Sequence, residues 1–321
     1  MWHRSWAVSA CSLRCYSTKT PIKLVAELRK LTEVSIVKAR EALEASNNDV
    51  NAALKWLDKD LAASGAKRAA KVQDRHAGEG LIAVSLLSPG AGGRSALRAA
   101  MVELNCETDF VGRNDLFGQL AADIAHTAAF MSEQADFQNY PVDVLNDTPL
   151  LSARHLNPDP STTVSRAIRD LISKVGENVV LKRAMTVFQE PSPNSKEGHR
   201  LISYLHGSVN DPMQGRIGVL GLLKLSSPQS IFQSTSSREN LERLERALAR
   251  QIAGFETRSI HSDSQDETAL YQQPFMIAGD LSGKPVGEAL AAWSTTHGLD
   301  QSALGVERFV KWAVGEPNEE L

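Results

Sequence analysis

Gly80-Leu-Ile-Ala-Val-Ser-Leu-Leu87 and Met101-Val-Glu-Leu-Asn-Cys106, divided by Ser88-Pro-Gly-Ala-Gly-Gly93, decide the fold. Both runs are aliphatic and a Pro/Gly cluster separates them, so they predict strand, turn and strand. N-terminal to them the apolar spacing is helical three times over. Leu24, Leu28 and Leu31, then Ile36, Ala39 and Leu43, then Val50, Leu54, Leu57 and Leu61 step by threes and fours. Asn48 or Asp49 can cap the third helix, because a side-chain oxygen there accepts from orphan backbone N–H groups. Three short helices enclose little apolar volume, and such a unit usually works as a docking module. Ser64 to Gly80 is Ala/Lys-rich with no apolar face and reads as a solvated linker helix or an extended arm. C-terminal to the strand pair, helical patterns return between Val111 and Met131 and from Val164 to Val175. Strand-like runs follow at 179–188, 201–204 and 217–225, then an amphipathic helix at 239–253, a short helix at 286–293 and a last strand at 306–314. Strands grouped beside helices, instead of alternating with them, predict an α+β fold.

The chain has 321 residues, 42% hydrophobic and 23% charged, enough for two or three cooperating domains with real cores. No apolar run reaches the roughly 18 residues that a membrane-spanning helix needs. Thirty-five basic against 38 acidic side chains give a formal charge of −3, without the basic excess expected of a phosphate-neutralising nucleic-acid binder. Charge is unevenly spread. Met1 to Ala26 holds no Asp or Glu, while Arg4, Arg14, Lys19 and Lys23 stand among Ser, Trp and Ala. That composition predicts a mitochondrial import segment over residues 1–18. Arg14-Cys15-Tyr16-Ser17 resembles a matrix-peptidase site, with a mature start near Ser17 or Thr18. A secretory signal would need a continuous apolar core, and Trp6-Ala7-Val8 is broken at Ser9. Cleavage there removes two basic residues and no acid, taking the charge from −3 to −5. It also removes Cys11 and Cys15, so Cys106 stands alone in a reducing matrix and disulfides are not expected.

No enzyme signature survives inspection. Gly90-Ala-Gly-Gly-Arg-Ser95 lacks the Gly-Lys-Ser/Thr of a phosphate loop and leads into a strand where a helix should start. Nucleophile-elbow, zinc-protease and EF-hand patterns are missing, and no pair among the eight histidines shares a helical ligand spacing. Cys106 lies beside Glu107 and Asp109, whose charges disfavour a thiolate. No catalytic residue, metal ligand or cofactor is assigned. What stands out is Asn105-Cys-Glu-Thr-Asp-Phe-Val111, where a strand runs into a helix. By residue type alone, Thr108 or Asp109 caps that helix and Phe110 packs as a hydrophobic staple.

At this segment the sequence resembles elongation factor Ts of the mitochondrial type, the guanine-nucleotide exchange factor for elongation factor Tu. Leu24-Val-Ala-Glu-Leu-Arg29, Ala42-Leu43, Asn48-Asp49 and Ala53-Leu-Lys-Trp-Leu57 are similar to that family's ubiquitin-associated-like helices. Gly78-Glu-Gly80 and Glu103–Val111 resemble its central signature. Gly176-Glu-Asn178, Tyr204-x-His206-Gly207, Gly215–Leu220, Gln273-Pro-Phe275 and Phe309 with Gly315-Glu316 follow in the family's order. Three features depart from the pattern. Thr32-Glu-Val-Ser35 replaces the usual Thr-Gly-Ala-Gly loop. Phe255 and Gln273 lie too close for the bacterial coiled-coil insertion. Ser208-Val-Asn-Asp-Pro-Met-Gln214 separates two blocks that normally abut, which leaves the placement of His206 open.

The resemblance implies a ubiquitin-associated-like three-helix domain at 19–62, a basic linker at 63–79, and a core of two α+β subdomains with antiparallel sheets at 80–198 and 199–321. It implies a factor of the mitochondrial matrix that binds elongation factor Tu in its GDP and nucleotide-free forms, without direct nucleic-acid or membrane contact. By residue-for-residue match Asp109 and Phe110, flanked by Thr108 and Val111, enter the partner's G domain, with Phe110 as a wedge that disturbs the Mg²⁺ and phosphate site. Val175, Gly176 and His206 match further core contacts, and Ile36 and Arg40 match docking positions of the helical domain. Each has a plainer reading. Val175 can be core, Gly176 a helix C′ residue, His206 a hydrogen-bonded core imidazole, and Ile36 part of its own bundle. Two other functions stay open: a scaffold that uses the helical module without exchange, and a hydrolase built on Cys106 or His206.

Overall fold

A computed structural model describes residues 20–32, 34–90, 95–154, 161–191, 197–208, 210–226, 231–232, 234–262 and 266–317. The expected import segment, residues 1–18, lies outside the described residues, as does most of the Gly-rich turn at 91–94. The chain divides into two compact units, Met1–Ser64 and Gly65–Leu321.

In the first unit, α1 (Ile22–Thr32), α2 (Ile36–Ala45) and the start of α3 (Val50–Val72) enclose Val25, Leu28, Ala39, Ala42, Leu43, Ala53 and Leu57. Capping explains the boundaries. The Ser35 hydroxyl accepts from the Lys38 N–H (3.2 Å), and the Asp49 carboxylate accepts from the Asn51 and Ala52 N–H groups (2.8 and 3.1 Å). Asn47 and Asn48 turn the chain through left-handed backbone, which Asn tolerates better than most residues. The third helix continues past Leu61, so the linker is helical as far as Val72.

The second unit is built from β1 (Glu79–Pro89), β2 (Leu97–Cys106), α4 (Asp109–Gly112), α5 (Asp115–Phe130), β3 (Asp136–Tyr140), α6 (Val142–Asp147), α7 (Val164–Val175), β4 (Val179–Gln189), β5 (Glu197–His206), β6 (Gln214–Gly215), β7 (Ile217–Ser226), α8 (Thr235–Gly254), a 3₁₀ turn at Leu270–Gln272, α9 (Val286–Thr296) and β8 (Leu304–Ala313). One sheet has the order β3-β4-β2-β1-β6 and the other β5-β7-β8, with every pairing antiparallel. The fold is therefore α+β with two antiparallel sheets.

Alternation along the strands creates four layers, helix, sheet, sheet and helix. On β2, Ala100, Val102, Leu104 and Cys106 face α5 and α7, while Leu97, Ala99 and Met101 face the second sheet. On β7, Leu220 and Leu222 meet that middle layer, and Val219, Leu223 and Leu225 pack under α8 and α9. With both faces covered, β2 is buried almost throughout, which is why its sequence reads as a near-continuous apolar run. The two sheets approach closely at Gly218, where a Cβ would lie 2.6 Å from Ile82 Cγ2 and 3.2 Å from Met101 Sδ. They are also tied through the buried Glu103 of β2. Its carboxylate accepts from Arg183 Nε (2.6 Å) and from the Gly315 N–H just after β8 (2.9 Å).

The Ser64–Gly80 stretch is not solvated throughout. Val72 is buried and Ala69 partly buried in the α5/α7 layer, and Arg68 Nη1 donates to the Ser173 carbonyl of α7 (2.8 Å). Gly65 fits there because a Cβ would sit only 3.1 Å from Ser173 Oγ.

Candidate functional site

The segment that joins the central strand to its covering helix is a tight double corner. β2 ends at Cys106, α4 makes a single turn, and α5 starts after Asn114. Thr108 has extended backbone (φ −124°, ψ 154°), and its hydroxyl oxygen lies 3.4 Å from the Val111 N–H, the N-cap geometry expected of it. The same hydroxyl donates to Glu177 Oε1 (2.6 Å), and the Thr108 N–H donates to Glu177 Oε2 (3.0 Å). The pairing is reciprocal. The Asn178 N–H donates to Glu107 Oε1 (2.7 Å), and the Asn178 side-chain amide donates to the carbonyls of Arg75 (2.8 Å) and Gln73 (3.2 Å). Two neighbouring turns thus exchange carboxylates, and charged acceptors make these the stronger class of hydrogen bond.

On this turn Val111 points inward against the α5/α7 core, whereas Phe110 is 83% exposed. The staple reading of Phe110 is overturned, because the carboxylate clamps fix the backbone and only Val111 is carried inward. Leaving a Phe side chain in water forgoes about 1.5–3 kcal/mol of burial. Asp109 is partly exposed and pairs with Arg113 at 3.0 Å. Such an exposed pair contributes about 0–1 kcal/mol.

Val175 and Gly176 close α7 directly before the clamping Glu177, so the Thr108–Val111 turn and the end of α7 are brought together. Val175 is half-buried at the edge of the core. Gly176 takes left-handed backbone (φ +78°) and its N–H donates to the Ile172 carbonyl (2.8 Å), which ends the helix. A Cβ there would meet nothing within 4 Å, so the space in front of it is open. His206, at the end of β5, is exposed, which excludes the core-imidazole reading. Gly207 and Asp109 line one cleft with Gly112, Arg113, Asn210 and Arg216. Ile36 and Arg40 belong to the first unit, one helical turn apart on α2. Ile36 is 49% exposed, Arg40 is exposed, and Leu31 and Val37 are exposed apolar neighbours in sequence.

Cys106 is fully buried and its thiol donates to the Thr108 carbonyl (3.1 Å). Burial pushes it up to about 12, helped by the nearby Glu177 and Glu79 carboxylates, so it stays a thiol at physiological pH. Among the described residues no group of three or more His, Cys, Asp or Glu side chains is placed to hold a metal ion. No helix of the described residues is long and apolar enough to cross a membrane.

Residues 107–316 match the family model described as elongation factor TS. The chain belongs to the elongation factor Ts family. The match begins at Glu107, the first residue of the clamped turn, and takes in Thr108–Val111, Val175, Gly176 and His206. Relatives extend the likeness across the helical unit. "Elongation factor Ts, mitochondrial" of Coprinopsis cinerea is 54% identical over 96% of this chain and 96% of its own length. The protein of the same name in Laccaria bicolor is 54% identical over 96% and 97%. That of Malassezia globosa is 35% identical over 93% and 89%. Within this elongation factor Ts chain, residue reasoning alone missed the clamp of Glu107, Glu177 and Asn178. Its only signal was two Glu residues, each beside a strand–helix junction.

Proposed function

We propose that the chain is a guanine-nucleotide exchange factor for elongation factor Tu in mitochondrial protein synthesis, acting in the matrix after loss of residues 1–18. The observation that carries this reading is an aromatic side chain held almost fully in solvent on a turn that polar clamps make rigid. Asp109 and Phe110, supported by Thr108 and Val111, enter the partner's G domain, with Phe110 as the wedge. A rigid apolar body inserted there displaces the groups that support the bound Mg²⁺. The GDP phosphates then lose charge neutralisation and the nucleotide leaves faster. Val175, Gly176 and His206 add further contacts from the core. Ile36 and Arg40 supply a second contact from the helical domain (19–62), which a basic linker (63–79) joins to subdomains 80–198 and 199–321.

No covalent step is needed. The factor binds nucleotide-free partner more tightly than GDP-bound partner, and by reciprocity GDP weakens the factor's own binding equally. It therefore needs no nucleotide, metal or cofactor of its own, and no contact with nucleic acid or membrane. A desolvated aromatic at an interface centre is the usual hot-spot type, worth about 2 kcal/mol or more.

The test is release of a fluorescent GDP analogue from mitochondrial elongation factor Tu. The native chain is expected to accelerate release by orders of magnitude, and Phe110→Ala to be at least about thirtyfold weaker. Equal acceleration by both would keep the exchange function and remove the wedge. Absence of acceleration by the native chain would leave the scaffold reading in its place.

A further inference from the structure

We infer that Asn210 is a positioning residue for Phe110, and that the Asn210–Gln214 segment forms the second half of the clamp on the exchange turn; the inference rests on the exchange reading above. Glu177 pins only the entry to α4. A single helical turn of four residues does not sustain itself, since nucleation costs more than one turn's hydrogen bonds return. Phe110 contributes no packing to hold it. The exit from the turn is Arg113, whose N–H closes α4 on the Asp109 carbonyl (3.0 Å). Asn210 holds that exit. Its side-chain amide donates to the Arg113 carbonyl (3.1 Å) and to Asp115 Oδ1 (2.7 Å), bridging the end of α4 to the first residue of α5.

The segment carrying Asn210 is itself held by local hydrogen bonds and anchored to its neighbours at Met213 and Gln214. Ser208 Oγ donates to the Asp211 carbonyl (2.5 Å), and the Met213 N–H donates to Asp211 Oδ1 (2.8 Å). The Met213 carbonyl accepts from the Val84 N–H of β1 (3.0 Å). The buried Gln214 side chain donates to the Gly118 carbonyl of α5 (2.8 Å), in space left by the missing side chain of Gly118, where a Cβ would come within 2.6 Å of Gln214 Oε1. The segment therefore bridges β1 and α5 and presents one amide to the corner between them. Phe110 stands between a carboxylate pin at one end of its turn and an amide pin at the other. Fixing the turn before binding removes the ordering cost that a mobile wedge would meet in the exchange step.

Asn210 is exposed, so its substitution leaves the core intact. Nucleotide release is followed by stopped flow over a range of factor concentrations, with thermal unfolding measured in parallel. For Asn210→Ala the maximal release rate is expected to fall about tenfold, with the half-saturating concentration and the unfolding midpoint nearly unchanged. Asn210→Asp, which faces the Asp115 carboxylate, should be as slow. Adding Asp115→Asn to it restores the donor–acceptor pair between residues 210 and 115, though not the donor to the Arg113 carbonyl, and should recover part of the rate, a rescue that a general loss of stability would not give. A maximal rate unchanged in Asn210→Ala, while Phe110→Ala is slow, overturns the positioning role and keeps the exchange reading. A change confined to the half-saturating concentration overturns it too, making the segment a direct partner contact. If the native chain itself fails to accelerate release, the exchange reading falls and the inference with it.

Discussion

The sheet sandwich and the Thr108–Gly112 turn sit next to each other in sequence and are held by different forces. In the sandwich, Met101, Leu220 and Phe117 are fully buried, and apolar surface removed from water supplies the stability. None of the five residues of the turn is fully buried. Two carboxylates, a hydroxyl and an amide fix its backbone. The difference shows how a protein can present an apolar side chain rigidly. Packing would hide the aromatic ring, as it does at Phe117, one helical corner further on. Polar pins order the backbone without consuming the ring's surface, which stays available to a partner.

The contrast is most exposed to test at the two phenylalanines. Phe117→Ala should cost about 3–5 kcal/mol in urea unfolding, the range for emptying a packed aromatic site. Phe110→Ala should change stability by about 0.5 kcal/mol or less, as surface substitutions do. A similar loss in both would mean that Phe110 is packed in solution, and the division between the two regions would disappear.

A smaller effect separates charges inside the sandwich from those at the turn. Glu245 of α8 is buried beneath its partner Arg200, and burial pushes its carboxyl up to about 6 although the guanidinium pulls the other way. The folded chain then binds a proton more readily than the unfolded one. The contribution of this group to stability is fully present below the ordinary carboxylate value near 4.5 and is lost as pH rises through 6. The loss by pH 7 is on the order of 2 kcal/mol. Unfolding midpoints measured between pH 4 and 7 should show this decline, and Glu245→Gln should flatten it. A stability that instead rises across that range would place the Arg200 attraction above the burial cost.

The sequence made one of these regions far more legible than the other. Paired aliphatic runs and three- and four-residue steps announce the strands and the long helices, because burial on one face writes a period into the chain. Segments with weak or short periods were not legible. The docked face of the linker helix is Gly65, Ala69 and Val72, spaced as a helix requires but with only one sizeable apolar side chain among them. The edge strand Asp136–Tyr140 has a single buried apolar residue, Phe137. At the site, residue type pointed the wrong way. An aromatic after a helix cap is normally a staple, and it is residues some 70 or more positions away, Glu177 and Asn178 among them, that hold the turn with Phe110 outside. Long-range polar pairing leaves no local pattern, so the motif drew attention to the segment while its geometry had to be seen.

Gly176 carries the smallest expected effect and the sharpest distinction between the two ways of holding a residue. Its left-handed backbone disfavours any residue with a Cβ, yet nothing surrounds the site, so substitution carries a conformational cost and no clash. Gly176→Ala should lower stability by about 1 kcal/mol, and Gly176→Asn by less, since Asn enters that region more readily. If Gly176 serves only to end α7, nucleotide exchange should be indifferent to both, because a change of that size leaves almost all of the protein folded. If the partner's backbone comes close at this point, the order reverses. Asn, the larger side chain, would then impair exchange more than Ala while destabilising the fold less. Measuring both variants for unfolding and for nucleotide release separates the cap from the contact, since one property ranks them by backbone preference and the other by size.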